Sequence, residues 1–392
     1  MIYVTGLGVV SSIGDNVQET LSSLLSSKPG VKMGCNSYSQ KFQVGEIRYS
    51  NEELIERFRL NTLGSRTSLL GMVASKEAFH GHELIEGVRT GLISGTSVGG
   101  MDISDKVYRN YIEQVPFEIQ SFRNHPSGTS TEQIASELGI DYFINTISTA
   151  CSSAANAIMM GARMINGGLL DRVIVGGTDS LTQFTIAGFR SLMIFDENWC
   201  RPFDETRSGL NLGEGAGYLV LESERSMLET KKNPIAILSG WGNASDAFHQ
   251  TASSPNGEGA ILSMKKALKK ANLSPLDIDY INAHGTATPN NDLTESKAIQ
   301  TVFGGNVPPF SSTKSFTGHT LAASGGIEAV ISILAIKNKC IFPNLNHSQV
   351  ISETSLKPIT SNVSVEKMRH VLSNSFGFGG NNSTLILSAI DS

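Results

Sequence analysis

The sequence predicts an α/β fold of sheets covered by helices, and three features carry that expectation. Short β-branched or aliphatic runs alternate with longer helical ones along the whole chain, which argues for mostly parallel sheets. The composition, 40% apolar with 39 glycines and 17% charged residues, suits a compact enzyme with many tight turns. At 392 residues the chain exceeds one ordinary core, so two domains or two fused halves are expected.

The elements follow in order. Residues 2–10 read as a strand that turns at Gly6-Leu7-Gly8, and residues 16–25 as a short helix. Residues 28–50 are rich in turn formers. Helices are expected at 52–58 and 66–79, the second with Leu69, Leu70, Val73 and Ala74 on one face. Residues 91–96 form a short buried strand before Gly99-Gly100. Residues 101–128 look irregular and polar, a surface insertion or partner-facing segment. A helix over 131–138 leads to a buried strand over 143–149. Residues 152–166, dominated by Ala, Ile and Met, predict a helix buried on all faces. A strand over 172–177 precedes a long glycine-containing loop, 184–216, of the length that usually carries function. Strands are expected at 216–222 and 235–241.

The second half repeats this outline. A helix over 259–271 precedes a strand over 278–283 that delivers His284. A helix over 293–303 precedes a short strand over 310–313 that delivers Lys314. An apolar helix over 321–337 and strands at 371–375 and 384–388 close the chain around Gly377-Phe378-Gly379-Gly380.

Bulk properties exclude several function classes. A net charge of −5 without Lys/Arg runs does not attract nucleic acid. Cys35, Cys151, Cys200 and Cys340 are widely spaced, with no CxxC pair, so neither a disulfide framework nor a zinc site follows, and a reducing compartment is expected. The strand-like start lacks the features of a signal peptide, and no apolar run reaches the roughly 20 residues of a membrane span. A cytoplasmic protein is expected.

The chemistry centres on Cys151. It stands at a strand-to-helix corner, where free backbone N–H groups and the positive end of the helix dipole are expected to lower the thiol pKa. A single cysteine is more often a small buried hydrophobe. His284 follows a strand in Asn282-Ala283-His284-Gly285-Thr286-Ala287-Thr288-Pro289, and His319 precedes the apolar helix in Lys314-Ser315-Phe316-Thr317-Gly318-His319. Either histidine alone is more often a packing residue. With no evident third ligand, the pair argues weakly for a metal.

These residues together resemble a β-ketoacyl-[acyl-carrier-protein] synthase, a condensing enzyme of the elongating, Cys-His-His type. The resemblance spans essentially the whole chain. It rests on Val4-Thr5-Gly6-Leu7-Gly8-Val9-Val10-Ser11, Ser148-Thr149-Ala150-Cys151-Ser152-Ser153, Arg201-Pro202-Phe203-Asp204 and Gly213-Glu214-Gly215-Ala216-Gly217, then on the two histidine motifs and Asn374-Ser375-Phe376-Gly377-Phe378-Gly379-Gly380. It implies the thiolase fold: two pseudo-repeated halves, residues 1–234 and 235–392, in a five-layered α-β-α-β-α arrangement. It further implies decarboxylative Claisen condensation of a Cys-bound acyl group with malonyl-[acyl-carrier protein].

The resemblance also assigns roles. Cys151 is acylated, which splits one hard encounter into two easier steps. The backbone N–H groups of Cys151 and Phe378 form an oxyanion hole, and Phe378 gates the acyl tunnel. His284 and His319 donate to the malonyl thioester oxygen. Lys314, partnered by Glu328, sets the field around them; the alternative is a plain structural ion pair. Thr286 and Thr288 bind the phosphopantetheine arm, unless they are only caps, and Thr251 and Phe376 join the substrate site. No bound cofactor is implied, since substrates ride on the carrier's phosphopantetheine. The expected partners are acyl carrier protein and a second subunit, in a homodimer or a heterodimer with a paralogue.

The sequence departs from the family pattern in places. Ser208 stands where Asp is usual, so a local salt bridge is expected to be missing. Phe117-Glu118 falls where a basic pair often meets the carrier, leaving Arg59, Arg66 and Arg123 as docking candidates. Such a partner change fits a specialised polyene or polyketide line as well as fatty-acid elongation. Phe189, Met193, Ile194 and Phe195 are expected to shape the acyl pocket or a dimer contact. Two other readings are a non-catalytic, chain-length-setting partner, which would lack the nucleophile, and a thiolase-like acyltransferase or hydrolase. A thiolase would carry a second cysteine near the last glycine loop, where this chain has Phe376 and Phe378.

Overall fold

The computed structural model describes residues 1–36 and 38–390. The chain opens with β1 (Ile2–Ser11), α1 (Val17–Leu25), a small ribbon of β2 (Lys32–Met33) and β3 (Gln43–Val44), α2 (Asn51–Phe58) and α3 (Arg66–Ala78). Next come β4 (Thr90–Gly95), α4 (Met101–Ile112), α5 (Ser127–Leu138), β5 (Phe143–Ile147), α6 (Ser153–Asn166), β6 (Arg172–Asp179), α7 (Gln183–Ser191), β7 (Gly215–Ser223) and α8 (Glu224–Thr230). The remainder runs through β8 (Ala236–Ser245), α9 (Glu258–Ala271), β9 (Tyr280–Asn282), α10 (Pro289–Phe303), β10 (Phe310–Ser311), the single turn α11 (Lys314–Thr317) and α12 (Ser324–Asn338). It ends with a second ribbon, β11 (Cys340–Ile341) and β12 (Val363–Ser364), then β13 (His370–Gly377) and β14 (Asn381–Ser388). Local signals place several starts: Asn16 caps α1, and Ser50 and Glu53 form a reciprocal capping box on α2.

One ten-stranded sheet, in the order β10-β9-β13-β14-β8-β1-β7-β6-β4-β5, contains the repeat. Outward from the centre, β1-β7-β6-β4-β5 and β8-β14-β13-β9-β10 carry the same pattern of two antiparallel and then two parallel pairings. The two sets join where β1 meets β8, through Tyr3↔Ile237 and Val4↔Ala236. The sheets are therefore mixed, not mostly parallel. An intervening helix makes neighbours parallel only when it carries the chain back to the same edge. The 180–214 excursion between β6 and β7 does not, and β13 and β14 are joined by a tight glycine turn.

Five layers result. Helices α3 and α5 cover the outer face of the first sheet, α9 and α10 flank the second, and α6 and α12 fill the space between. Helix α12 is buried from Ser324 through Ile336, so its apolar length belongs to the core and not to a membrane span. Its close approach to β7 depends on glycine: a Cβ on Gly326 would lie 2.3 Å from the carbonyl oxygen of Gly217. Helix α6 is less enclosed than its composition suggested, because Arg163 and Asn166 reach solvent. Strand β5 is an edge strand whose residues are only half-buried, not the buried strand expected. Residues 101–128 are ordered as α4, a 3₁₀ segment over Ile119–Asn124 and the start of α5; alternating charge had masked the helical period. The 184–216 loop likewise contains most of α7, started by a Thr182–Thr185 capping box that lacks the usual acidic residue.

Arg66 is not a surface docking residue. Its guanidinium is buried against Glu214, with Nη2 2.7 Å from Oε1 and Nε 2.8 Å from Oε2. Glu214 also accepts N–H bonds from Ile47 and Leu181, so the Gly213-Glu214-Gly215 motif ties the 45–50 segment to α3 and to the end of β6. Replacing Glu214 by Gln should leave a buried guanidinium without its counter-charge and cost about 3–5 kcal/mol of stability. Urea unfolding measures this, and a loss below about 1 kcal/mol would reduce the pair to a surface-like contact.

Candidate active site

Strand β5 ends at Ile147 and α6 starts at Ser153, and Cys151 stands on the corner between them. The corner is sharp because Ala150 adopts φ 52°, a region that side chains other than glycine and asparagine seldom enter. Neighbouring hydroxyls hold it there. Ser153 Oγ donates to the Ala150 carbonyl at 2.6 Å, and Ser152 Oγ donates to that of Thr149 at 2.7 Å. Cys151 is 5% exposed.

The other half brings in the two histidines. His319 sits between α11 and α12, fixed by an N–H bond to the Asn211 carbonyl at 2.7 Å. Its Nε2 is 3.1 Å from Cys151 Sγ, and its Nδ1 is 3.0 Å from Ser324 Oγ. His284 follows β9 and stands edge-on to His319, with ring centroids 5.4 Å apart and an interplanar angle of 86°. Lys314, on α11, places Nζ 3.3 Å from His284 Nδ1 and 2.6 Å from the His284 carbonyl, and it forms a buried ion pair with Glu328 of α12. Because Lys314 donates to Nδ1, the His284 proton resides on Nε2, which is free to donate. The expected trio thus faces one cavity. Lys314 and Glu328 support it from behind, the ion pair and the tuning role being the same contact.

Burial sets the electrostatics. Both imidazoles are held well below the usual histidine pKa, by desolvation first and then by the Lys314 cation, so both are neutral near pH 7. Burial pushes the Glu328 carboxyl up to about 7 against the pull of Lys314. The Cys151 thiol is pushed up to about 12, overturning the lowered value expected from its position. The field of Lys314 and the backbone N–H of Phe378 do act on the sulfur, but loss of water outweighs them. The resting site therefore holds a protonated thiol beside a neutral imidazole.

A cavity of about 320 Å³ opens over these groups. Thr286, Thr288, Thr251, Phe376 and Phe378 are among its lining residues, with Phe376 beside the His284 ring and the Phe378 N–H at the sulfur. Thr286 Oγ1 and Thr288 Oγ1 are 2.9 Å apart, and Thr288 precedes α10 without capping it through its side chain, which removes the simple capping explanation. Phe378 sits on a loop whose Gly379 and Gly380 adopt φ 82° and 78°. Its ring stacks on Phe189 with centroids 5.8 Å apart. Phe189, Met193 and Ile194 line the cavity as expected, whereas Phe195 packs edge-on against Phe42. Ser208 also lines it and donates to Asp196 at 2.8 Å, and Arg201 takes Asp196 as its ion-pair partner. Arg207 is left with main-chain carbonyls alone among the described contacts. Arg59 and Arg123 are exposed.

Sequence reasoning missed Glu295. This fully buried carboxylate on α10 accepts the N–H groups of His284 at 2.9 Å and Gly285 at 2.8 Å, fixing the first histidine loop. The available signal was a glutamate within the first turns of the helix after the histidine motif. Asp179 was missed as well: it accepts from Ala322 at 2.8 Å and anchors the turn that follows His319. Among the described residues, no three His, Cys, Asp or Glu side chains are grouped to hold a metal ion.

Comparison with known proteins places the chain as a whole. A family model described as "Beta-ketoacyl synthase, N-terminal domain" matches residues 1–226, and its C-terminal counterpart matches residues 235–348. The chain is 34% identical to 3-oxoacyl-[acyl-carrier-protein] synthase 2 of Staphylococcus aureus (strain COL), over 98% of this chain and 97% of that one. The ishigamide ketosynthase/chain length factor superposes with a TM-score of 0.91 at 30% identity, covering 99% of this chain and 98% of that one. A type II polyketide acyl-carrier protein complexed with its hexaketide-bound ketosynthase contains a chain with TM-score 0.87 and 25% identity, covering 100% of this chain and 99% of that one.

A protonated thiol has a measurable signature. Alkylation of Cys151 by iodoacetamide should speed up steadily from about pH 6 to about pH 9 with no plateau, because the thiolate fraction keeps rising below the raised pKa. A plateau beginning near neutrality would instead reveal a preformed thiolate–imidazolium pair.

Proposed function

The chain belongs to the β-ketoacyl synthase family, and from that premise we infer that it catalyses decarboxylative Claisen condensation. An acyl group held on Cys151 is joined to a malonyl unit carried by an acyl carrier protein, giving β-ketoacyl-[acyl-carrier protein]. One observation carries the reading: Cys151, His319 and His284 face a single cavity although they come from different halves of the chain. We assign residues 1–234 to the nucleophile half and 235–392 to the histidine half, a division supported by the repeated strand order.

In the first step the sulfur attacks an acyl thioester, and its proton passes to His319 Nε2. The oxyanion faces the N–H groups of Cys151 and Phe378. Collapse expels the pantetheine thiolate, which takes the proton from His319. In the second step the malonyl thioester oxygen accepts hydrogen bonds from His284 Nε2–H and His319 Nε2–H. Ser324 Oγ can either accept from or donate to His319 Nδ1, so His319 can present a bare Nε2 for one step and an Nε2–H for the next. The bond to the carboxylate breaks, carbon dioxide leaves, and its electron pair becomes the enolate. The enolate carbon attacks the acyl carbonyl, and the sulfur departs as thiolate. It is reprotonated through His319, with one proton drawn from solvent. Neutral histidines suit this step, because desolvation and the Lys314 cation disfavour a standing second positive charge in the site.

Thr286, Thr288 and Thr251 hold the phosphopantetheine arm along the polar wall, and Phe376 closes the site beside His284. The enzyme itself binds no cofactor, and it works in the cytoplasm, as the reducing-compartment reading of its cysteines supports. Retention of Cys151, His284 and His319 argues against a non-catalytic, chain-length-setting role. Phe376 and Phe378 argue against a thiolase.

A second subunit is supported by the surface beside β5. Tyr142 and Ile144 on or beside this open edge, with Tyr108, Tyr111 and Ile119 on the 101–124 segment, leave aromatic and aliphatic side chains in water. We assign this face to a homodimer; a heterodimer with a paralogue is the other outcome. Mixing Ile144→Asp into the edge should turn a dimer into monomers in sedimentation, and an unchanged mass would remove β5 from the contact.

Intact-mass analysis after incubation with acyl-carrier thioesters tests the chemistry. Wild type should gain one acyl group on Cys151, and Cys151→Ala should gain none; condensation by the alanine variant would refute the assignment. His284→Ala should slow malonyl decarboxylation about 10²–10³-fold, the typical effect of losing one such donor. Self-acylation should fall much less, since His284 does not touch the sulfur.

A further inference from the structure

The two N–H donors that face the reacting carbonyl come from different halves, Cys151 from the β5–α6 corner and Phe378 from the β13–β14 loop. The loop's own main-chain bonds, from Gly379 N–H to the Gln250 carbonyl at 2.7 Å and from Gly380 N–H to that of Gly377 at 3.1 Å, do not reach the Cys151 corner. Side chains on either side of the seam tie it down. Asn381, the first residue of β14, presents Oδ1 to Asn243 Nδ2 at 2.8 Å and to Asn156 Nδ2 at 2.9 Å. These two amide hydrogens fill its two lone pairs. Ser152 Oγ also lies 2.9 Å away, but its single hydrogen is engaged by the Thr149 carbonyl at 2.7 Å.

The cluster closes on itself. Asn156 gives its second amide hydrogen to Thr149 Oγ1 at 2.8 Å, and its Oδ1 accepts from Asn243 Nδ2 and Ser383 Oγ, both at 3.0 Å. Thr149, Ser152 and Asn156 flank the nucleophile, whereas Asn243, Asn381 and Ser383 belong to β8 and β14. The seam is tight beside the cluster: a Cβ on Gly377 would lie 2.8 Å from the Thr149 carbonyl oxygen and 3.3 Å from the Cys151 nitrogen. The three asparagines are absent from the cavity lining, so they act through other groups.

We propose that Asn381, clamped between Asn156 and Asn243, is a positioning residue that sets the spacing of the Cys151 and Phe378 N–H donors and thereby the rate of acyl transfer to Cys151. This rests on the condensing-enzyme reading above. An oxyanion hole works only when its donors are held within a few tenths of an ångström. A closed ring of amide hydrogen bonds across the seam supplies that rigidity, and each bond polarises its neighbours.

Two reactions of the same sulfur separate positioning from general damage. Acyl transfer from a thioester passes through an oxyanion; alkylation by iodoacetamide, a displacement at saturated carbon, does not. In Asn381→Ala, single-turnover acyl transfer should fall about ten- to a hundredfold, short of the 10²–10³ expected for losing a donor outright, while alkylation stays within about twofold. Asn156→Ala reports from the helix side and should behave alike if Asn381→Ala folds poorly. The double variant should be no worse than the weaker single one, because both break one ring. Transfer at the wild-type rate in both variants, or transfer and alkylation falling together, would reduce the cluster to ordinary structure. The wild-type control separates this from the functional reading: failure of wild type to accept acyl groups refutes the reading itself.

Discussion

The site depends on one buried cation. Lys314 is 2% exposed and reaches Glu328, the ring of His284 and the His284 carbonyl at once. An ammonium so far from water survives only with a counter-charge and full hydrogen bonding. Glu328 supplies the charge from a helix enclosed on every side, and the carbonyl and ring nitrogen supply acceptors. The cation in turn fixes the His284 tautomer and adds to the desolvation that holds both imidazoles neutral. The five-layered architecture serves this arrangement, since only the layer between two sheets is dry enough to give these electrostatic effects their size.

Much of the fold was legible in the sequence because its signals are local. The apolar stretch that became α12, the strand that delivers His284 and the corner at Cys151 all announce themselves within about a dozen residues. Sheet direction did not, because it depends on where a connection returns. Alternating strands and helices concealed that β7 and β14 run against their neighbours. Helix α4 was hidden by charge spread around its surface, and α7 by a threonine pair capping where an acidic residue is more usual.

Motif and resemblance pointed to the three side chains that meet at the cavity, but not to their electrostatics. A helix start near Cys151 suggested an acidic thiol, whereas the cavity reverses that tendency by removing water. Position along a helix can be read from a sequence; the depth of burial that decides a pKa comes from residues hundreds of positions away, such as Phe376 and Phe378. Distance likewise hid Asp179, which accepts from Ala322, 143 residues along the chain. Glu295 stands only 11 residues past His284, but its place on a helix does not tell an inward-facing carboxylate from a solvated one. Arg66 was misjudged because its partner, Glu214, lies 148 residues along the chain.

On the proposed condensing reading, the stacked rings of Phe189 and Phe378 would bear on substrate choice. One ring lines the cavity over Cys151, and the other is carried by the residue whose N–H points at the sulfur. A guest that shoulders Phe189 aside disturbs the same backbone that must steady the tetrahedral adduct. Discrimination among chains then falls on how fast a bound guest reacts more than on how tightly it is held. An ill-fitting chain would be retained as an idle passenger, unreacted and free to leave.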